Sequence, residues 1–295
     1  MADQIRPRRS ALYMPASNER ALEKAKSLDI DAVIIDLEDS VAPDAKPDAR
    51  AQALAAVRTG GYGRREVLIR VNAPGTEWGR DDLLAAASSG ADAVCVPKVE
   101  SVEQLEAIRA ALAEGGAPAE TAIWAMIETP LAILNVEGIA QAGPGDRHAV
   151  SALLLGTNDL AKETRAAQTA DRAPMLSWIS RCVVAARAYK LDILDGVYNN
   201  FRDEDGFRRE CEQGRDLGMD GKTLIHPNQI GPCNDIFTPS TGEIAWSRKV
   251  IAAFDEPQNA GKGVITLEGQ MVELLHRDMA RRTVAIADAI SGGSG

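Results

Sequence analysis

The feature that most limits how this chain can fold is an alternation. Short β-type runs recur along it: SALYMPA, DAVIIDLED, EVLIRVN, DAVCVPKV, TAIWAMIET, VSALLLGTND, LDILDGVYNN and GKTLIHPNQI. Between them lie stretches with helical periodicity. NERALEKAKSL places Ala21, Leu22, Ala25 and Leu28 on one face. SVEQLEAIRAALAE does the same with Val102, Leu105, Ile108 and Leu112, behind Ser101 as an N-cap. Strand and helix taking turns implies parallel pairing, because two parallel strands need a crossover between them. Eight such units predict an α/β fold, a closed (β/α)8 TIM-type barrel over residues 1–239. An open doubly wound sheet is the competing arrangement. Its nucleotide-binding versions have no support here, because neither GxGxxG nor GxxxxGK(S/T) follows an early strand.

A barrel is complete before the chain ends. TGEIAWSRKVIAAFDE reads as a helix, PQNAGKGVITLEG as a turn with a short hairpin, and GQMVELLHRDMARRTVAIADAI as a long final helix. Residues 240–290 are therefore expected to form a C-terminal helical extension, a lid or an oligomerisation element. Residues 291–295, SGGSG, read as a flexible tail.

Composition removes some function classes. A net charge of −10 offers no global field for phosphates, which argues against nucleic acid as a partner. No stretch approaches the ~18 consecutive apolar residues of a membrane span, and the N-terminal MADQIRPRRSALYMPA has no apolar core of the kind a signal peptide needs. Cys95, Cys182, Cys211 and Cys233 are scattered without metal spacing and read as reduced core thiols of a cytoplasmic protein. His148 and His276 have no chemical constellation around them.

In DAVIIDLEDSVAPDAK an apolar strand runs straight into Asp36, Glu38 and Asp39. Burying an unpaired charge costs several kcal/mol, so either the strand ends there in water or cations wait for these acids. Barrel chemistry collects at the C-terminal ends of the strands. There the sequence places Pro15 to Asn18, then Asp36 to Asp39, Arg70 to Asn72, Pro97-Lys98, Glu128-Thr129, Asn158-Asp159 and His226. One arginine, one lysine and several carboxylates with few histidines suit a hard cation such as Mg2+. Glu128 and Asp159 are the candidate direct ligands, since each follows a rigid apolar run.

Seven stretches, SALYMPASNERALEKA, DAVIIDLEDSVAPDAK, VLIRVNAPGTEWGRDDL, VCVPKVES, AMIETPLAILN, LLLGTNDLA and GKTLIHPNQI, together resemble the HpcH/HpaI aldolase/citrate lyase family. The likeness is to its citrate lyase beta subunit-like, CoA-ester lyase branch, related to malyl-CoA lyases, and runs from about Ser10 to Pro239. The resemblance implies a Mg2+-dependent enzyme, with Mn2+ as a substitute ion. It would reversibly cleave a 3-hydroxyacyl-CoA such as citryl-, malyl- or citramalyl-CoA into acetyl-CoA and a 2-oxo acid. It further implies a homotrimer or hexamer. Glu128 and Asp159 fall on the family's metal ligands, and Arg70 on its substrate-binding arginine.

The other roles follow from the same resemblance. Arg20 and Lys24 are CoA-phosphate candidates. Lys98 and Glu128 join Arg70 in substrate binding, with Lys98 pairing acids rather than forming a Schiff base. Asp36 stands with Arg70 among the catalytic candidates and pairs with Arg70 or Lys98. Glu38 and Asp39 support the site by holding Arg70 or metal-bound water. His226 closes the last strand in a structural or binding role. Some relatives carry a lid aspartate within GxMID. Here GQMVELL puts Glu273 at that position, a longer carboxylate for proton transfer. Malyl-CoA thioester hydrolysis, a metal-dependent 2-oxo-acid aldolase without CoA, and a non-catalytic complex subunit are the alternatives.

Overall fold

The computed structural model describes residues 5–143 and 149–292, so His148 lies outside the described residues. They form two compact units: Arg8–Ile236, and residues 5–7 with 237–292.

The first unit is a closed (β/α)8 barrel. Its parallel strands lie in sequence order around the ring: β1 (Ser10–Pro15), β2 (Ala32–Asp36), β3 (Glu66–Arg70), β4 (Ala93–Val96), β5 (Ala122–Ile127), β6 (Val150–Leu155), β7 (Asp192–Asp195) and β8 (Gly221–Leu224). The last strand pairs back to the first, Leu224 opposite Leu12. The crossovers carry α1 (Glu19–Ala25), α2 (Lys46–Thr59), α3 (Gly79–Ala87), α4 (Val102–Glu114), α5 (Pro130–Gln141), α6 (Thr157–Thr164), α7 (Leu176–Ala188) and α8 (Glu204–Asp216), with α9 (Ile230–Phe237) after the final strand. Ser101 caps α4 by accepting from the Gln104 N–H at 3.3 Å. The helix α1 stops at Ala25, short of Leu28, whose carbonyl instead accepts from Arg65 Nε at 2.8 Å.

Both faces of each strand are buried, one inside the barrel and one under helices, which is why the strands read as unbroken apolar runs. Alternation still sorts the side chains. Ile34, Leu68, Cys95, Trp124, Met126 and Leu154 share the barrel interior with Tyr13. Alanines at positions 11, 32, 93 and 152 leave room for the fully buried Trp124. Arg8 closes the N-terminal end of the interior: its guanidinium lies 4.9 Å over Trp124 and bonds Glu66 and Asp192, each at 2.8 Å. Two positions beyond Ile34, Leu68 and Met126, the same parity brings Asp36, Arg70 and Glu128 to the opposite rim.

The second unit holds α10 (Thr241–Asp255), a hairpin of β9 (Val264–Leu267) and β10 (Gln270–Glu273), and α11 (Leu274–Gly292). Two sequence expectations are corrected here. Gln270–Glu273 is the second hairpin strand and not the start of the final helix. The cause is local: Glu268 and Gly269 both have positive φ, 47° and 80°, which makes a two-residue turn suited to the twist of a hairpin. Ser291 and Gly292 continue α11 rather than opening a flexible tail. Among the described residues no helix is long and apolar enough to cross a membrane, and the four cysteines are buried and free.

A buried ion cluster joins β7, β8 and the segment before α7. Arg172 Nη1 lies 2.8 and 2.7 Å from the two Asp195 carboxylate oxygens, and Lys222 Nζ lies 3.0 Å from the second of them and 2.6 Å from Glu210. Burial alone would raise the Asp195 pKa, but Lys222 and Arg172 outweigh it and hold this carboxyl low. Asp195→Ala strands two buried cations. It is expected to cost about 3–5 kcal/mol of unfolding free energy in urea titration, whereas a surface change such as Glu204→Ala is expected to cost less than about 1 kcal/mol.

Candidate active site

Asp36 and Arg70 are register partners on the last rung of β2 and β3. Arg70 donates to Asp36 through Nε and Nη2, both at 2.7 Å, a bidentate geometry. Its remaining Nη1 lies 3.1 Å from Glu38 and 3.3 Å from Asp39. The guanidinium stacks on Tyr13, 4.6 Å from the ring centroid. Asp36 also accepts from the Glu38 and Ser40 N–H groups at 2.8 and 3.1 Å. These bonds explain how a buried strand can end in carboxylates. Burial presses the Asp36 pKa upward, but the charge and hydrogen bonds of Arg70, with the two backbone N–H groups, hold it below the usual range.

The turn carrying Glu38 is anchored from below. Lys46, buried at the start of α2, donates to the carbonyls of Leu37 and Glu38 at 2.9 and 3.0 Å and to Asn72 at 2.6 Å. Asn72, counted with the strand-end residues in the sequence, is thus occupied in tying β3 to this turn.

Glu128 follows β5, is 3% exposed, and faces inward. A Cβ at Gly156 would collide with its side chain, so glycine there is what lets the carboxylate reach the space beside β6. Glu128 Oε1 accepts from the Lys98 N–H at 2.8 Å. Lys98 adopts φ 52°, the left-handed region, to aim that N–H. Its ammonium lies 3.8 Å from Glu38. Burial opposes the Lys98 charge, but Glu38, Glu128, Asp159 and Asp39 outweigh it and keep the amine protonated above its ordinary pKa. A lysine so held is a poor amine nucleophile.

The Glu128 pKa is pushed up to about 8, chiefly by burial and then by the charges of Glu38 and Asp159. Glu38 is pushed to about 7, again chiefly by burial, with Arg70 pulling the other way. Asp159 sits half-buried in the first turn of α6. Tyr13, Asp36, Arg70, Met126, Glu128 and Asp159 all line one cavity of about 350 Å³ at the strand ends.

Two inward carboxylates with too little positive charge around them are the donor set a hard divalent cation would satisfy. Among the described residues no three His, Cys, Asp or Glu side chains could hold a metal by themselves. Glu128 and Asp159 would therefore share the ion with ligand or water oxygens.

The other sequence candidates lie elsewhere. Arg20 and Lys24 are exposed on α1 and do not line the cavity. Glu273 ends β10 in the second unit, where its N–H donates to His276 Nδ1 at 2.9 Å. His226 caps the turn before α9, accepting from the Asn228 N–H at 3.2 Å, and stacks on Phe201 with centroids 4.6 Å apart. Tyr13, which no motif in the sequence marks, faces the same cavity from β1.

The model of the HpcH/HpaI aldolase/citrate lyase family matches residues 9–227. A (3S)-malyl-CoA thioesterase of Cereibacter sphaeroides is 47% identical over 99% of this chain and 98% of its own length. The mitochondrial citramalyl-CoA lyase of Homo sapiens is 31% identical, covering 96% of this chain and 86% of its own. Among solved structures, protein CitE from Mycobacterium tuberculosis in complex with magnesium, acetoacetate and coenzyme A superposes with a TM-score of 0.72 and 28% identity, over 94% of this chain and 97% of that one.

The raised carboxyls predict a pH dependence in metal-free protein. The folded state binds protons at Glu128 more tightly than the unfolded chain, whose carboxyl titrates near 4.5. Their contribution to stability is therefore present below about pH 4.5 and is lost as pH rises towards about 8. Glu128→Gln keeps the acceptor for Lys98 and removes the charge. Its melting temperature in chelator is expected to exceed that of the parent by a few degrees at pH 8, the difference closing near pH 4.5. Equal melting temperatures at both pH values would contradict the buried, undercompensated carboxylate.

Proposed function

The chain belongs to the HpcH/HpaI aldolase/citrate lyase family, and on that footing we propose that it is a Mg2+-dependent enzyme of malyl-type CoA thioesters. The reaction favoured by the cavity chemistry is carbon–carbon cleavage of a 3-hydroxyacyl-CoA to an acyl-CoA and a 2-oxo acid. The observation that carries it is the convergence of Arg70, clamped by Asp36, with Glu128 and Asp159 on one small cavity. In cleavage the β-hydroxyl loses its proton, the bond between the carbinol carbon and the thioester α-carbon breaks, and the electron pair becomes a thioester enolate that is then protonated on carbon. Glu128 and Asp159 would hold the cation, which when bound supplies Lewis acidity towards a ligand hydroxyl or carbonyl. Arg70 presents fixed donors to developing oxyanion charge, and Asp36 keeps it from turning away. Protonated Lys98 adds positive charge near the same mouth without entering covalent chemistry. Exposed Arg20 and Lys24 are assigned to the CoA phosphates, and Glu273 to proton transfer.

A second reading is hydrolysis of the thioester itself. It is favoured by the 47% identity of the (3S)-malyl-CoA thioesterase, against 31% for the citramalyl-CoA lyase. The two readings share the site and differ in which bond breaks. Product analysis separates them: malyl-CoA yields glyoxylate with acetyl-CoA by cleavage, and malate with free CoA by hydrolysis.

The test is a panel of malyl-, citramalyl- and citryl-CoA with Mg2+ or chelator, followed by mass spectrometry. Turnover that stops in chelator is expected, and Arg70→Lys should lower kcat about 10²–10³-fold. No turnover of any of these esters would overturn the proposal. For Glu273→Gln the expected outcome is collapse of turnover with Mg2+ affinity kept; unchanged turnover removes Glu273 from the mechanism.

A further inference from the structure

Tyr13 is a polar side chain of the cavity, in contact with Arg70, that this reaction leaves without a task. It stands half-buried on β1, facing the barrel interior. One face of its ring carries the Arg70 guanidinium, at 4.6 Å. Its hydroxyl has, among the described residues, one partner, Met126 Sδ at 4.0 Å. A thioether is a weak acceptor, so the hydroxyl keeps its donor for what enters the cavity. Phenylalanine would supply the same shelf for Arg70 without that donor.

The surroundings narrow that use. Tyr13 and Met126 both line the cavity that Arg70, Glu128 and Asp159 line. Burial first, then the nearby Cys95, Asp36 and Glu128, push the phenol pKa well above its ordinary value against the pull of Arg70. Tyr13 thus stays a neutral donor at working pH and is no general base. A neutral donor beside a clamped guanidinium complements a ligand with several acceptor oxygens, one bearing charge for Arg70 and another without a cation of its own.

We infer that Tyr13 is a ligand-binding residue, its hydroxyl donating a hydrogen bond to an oxygen of the small oxo or hydroxy acid whose charge Arg70 holds. The ligand class rests on the function proposed above.

The experiment titrates the whole chain with oxaloacetate in the presence of Mg2+, by calorimetry and by tyrosine difference absorption, for the parent, Tyr13→Phe and Tyr13→Leu. Tyr13→Phe keeps the shelf and should bind about tenfold more weakly. The tyrosine difference absorption seen in the parent should vanish in it, although three other tyrosines remain. In turnover, KM for the 2-oxo acid should rise while kcat changes little. Tyr13→Leu loses shelf and donor and should bind more weakly still. Parent-like affinity in Tyr13→Phe with loss only in Tyr13→Leu would make Tyr13 a shelf alone and overturn the inference, leaving the proposed function intact. Failure of the parent to bind oxaloacetate, pyruvate or glyoxylate would overturn this inference and the cleavage reading together.

Discussion

The bidentate pair between Asp36 and Arg70 settles how the catalytic end of this barrel can be built. It lies on the last rung of β2 and β3, where apolar strands meet solvent. Without Asp36, Arg70 would be a buried cation held only through Nη1, by Glu38 and Asp39. Without Arg70, three carboxylates would crowd one rim. With both, the guanidinium lies flat on Tyr13 and presents a fixed edge to the cavity. Most of the Arg70 charge is already spoken for by Asp36, so Glu38, Glu128 and Asp159 remain short of compensation.

That imbalance is the functional content of the site. The acids of the mouth outnumber its cations, and burial first, with neighbouring carboxylates adding to it, raises the Glu128 and Glu38 carboxyls. A protein designed for stability alone would have filled these positions with apolar residues. Here the deficit is kept by rigid means: Gly156 opens the space Glu128 occupies, and Lys98 holds a strained backbone to give Glu128 one N–H instead of a full countercharge. Crowded carboxylates of this kind are what a divalent cation would relieve, which is the ground of the proposed metal site.

The barrel was legible because its signal is periodic and long. Each strand-helix unit repeats the same reading, and errors at single boundaries, such as the early end of α1, do not change the count. The mouth was legible for the same reason, since strand ends are where the runs VIID, LIR and AMIE stop. Which acid clamps Arg70 through two bonds was only half legible: Asp36 was expected on Arg70 or Lys98, and Glu38 shares its parity, so residue type and spacing do not choose between them. The cluster of Asp195, Lys222, Arg172 and Glu210 escaped because its members come from four separate elements and each looks like a solvated charge alone. The β9–β10 hairpin was half legible. Its first strand stood out, but the turn at Glu268-Gly269 depends on positive φ at a glutamate, which residue type does not announce.

We propose that Glu128 and Asp159 hold a divalent cation in front of the clamped Arg70. Anomalous diffraction from crystals grown with Mn2+ and oxaloacetate tests it most directly. The expected result is a single strong peak within coordination distance of one oxygen from each of Glu128 and Asp159, with a ligand carboxylate against Arg70. A peak at Asp36, Glu38 or Asp39, or density showing Arg70 released from Asp36, would contradict it.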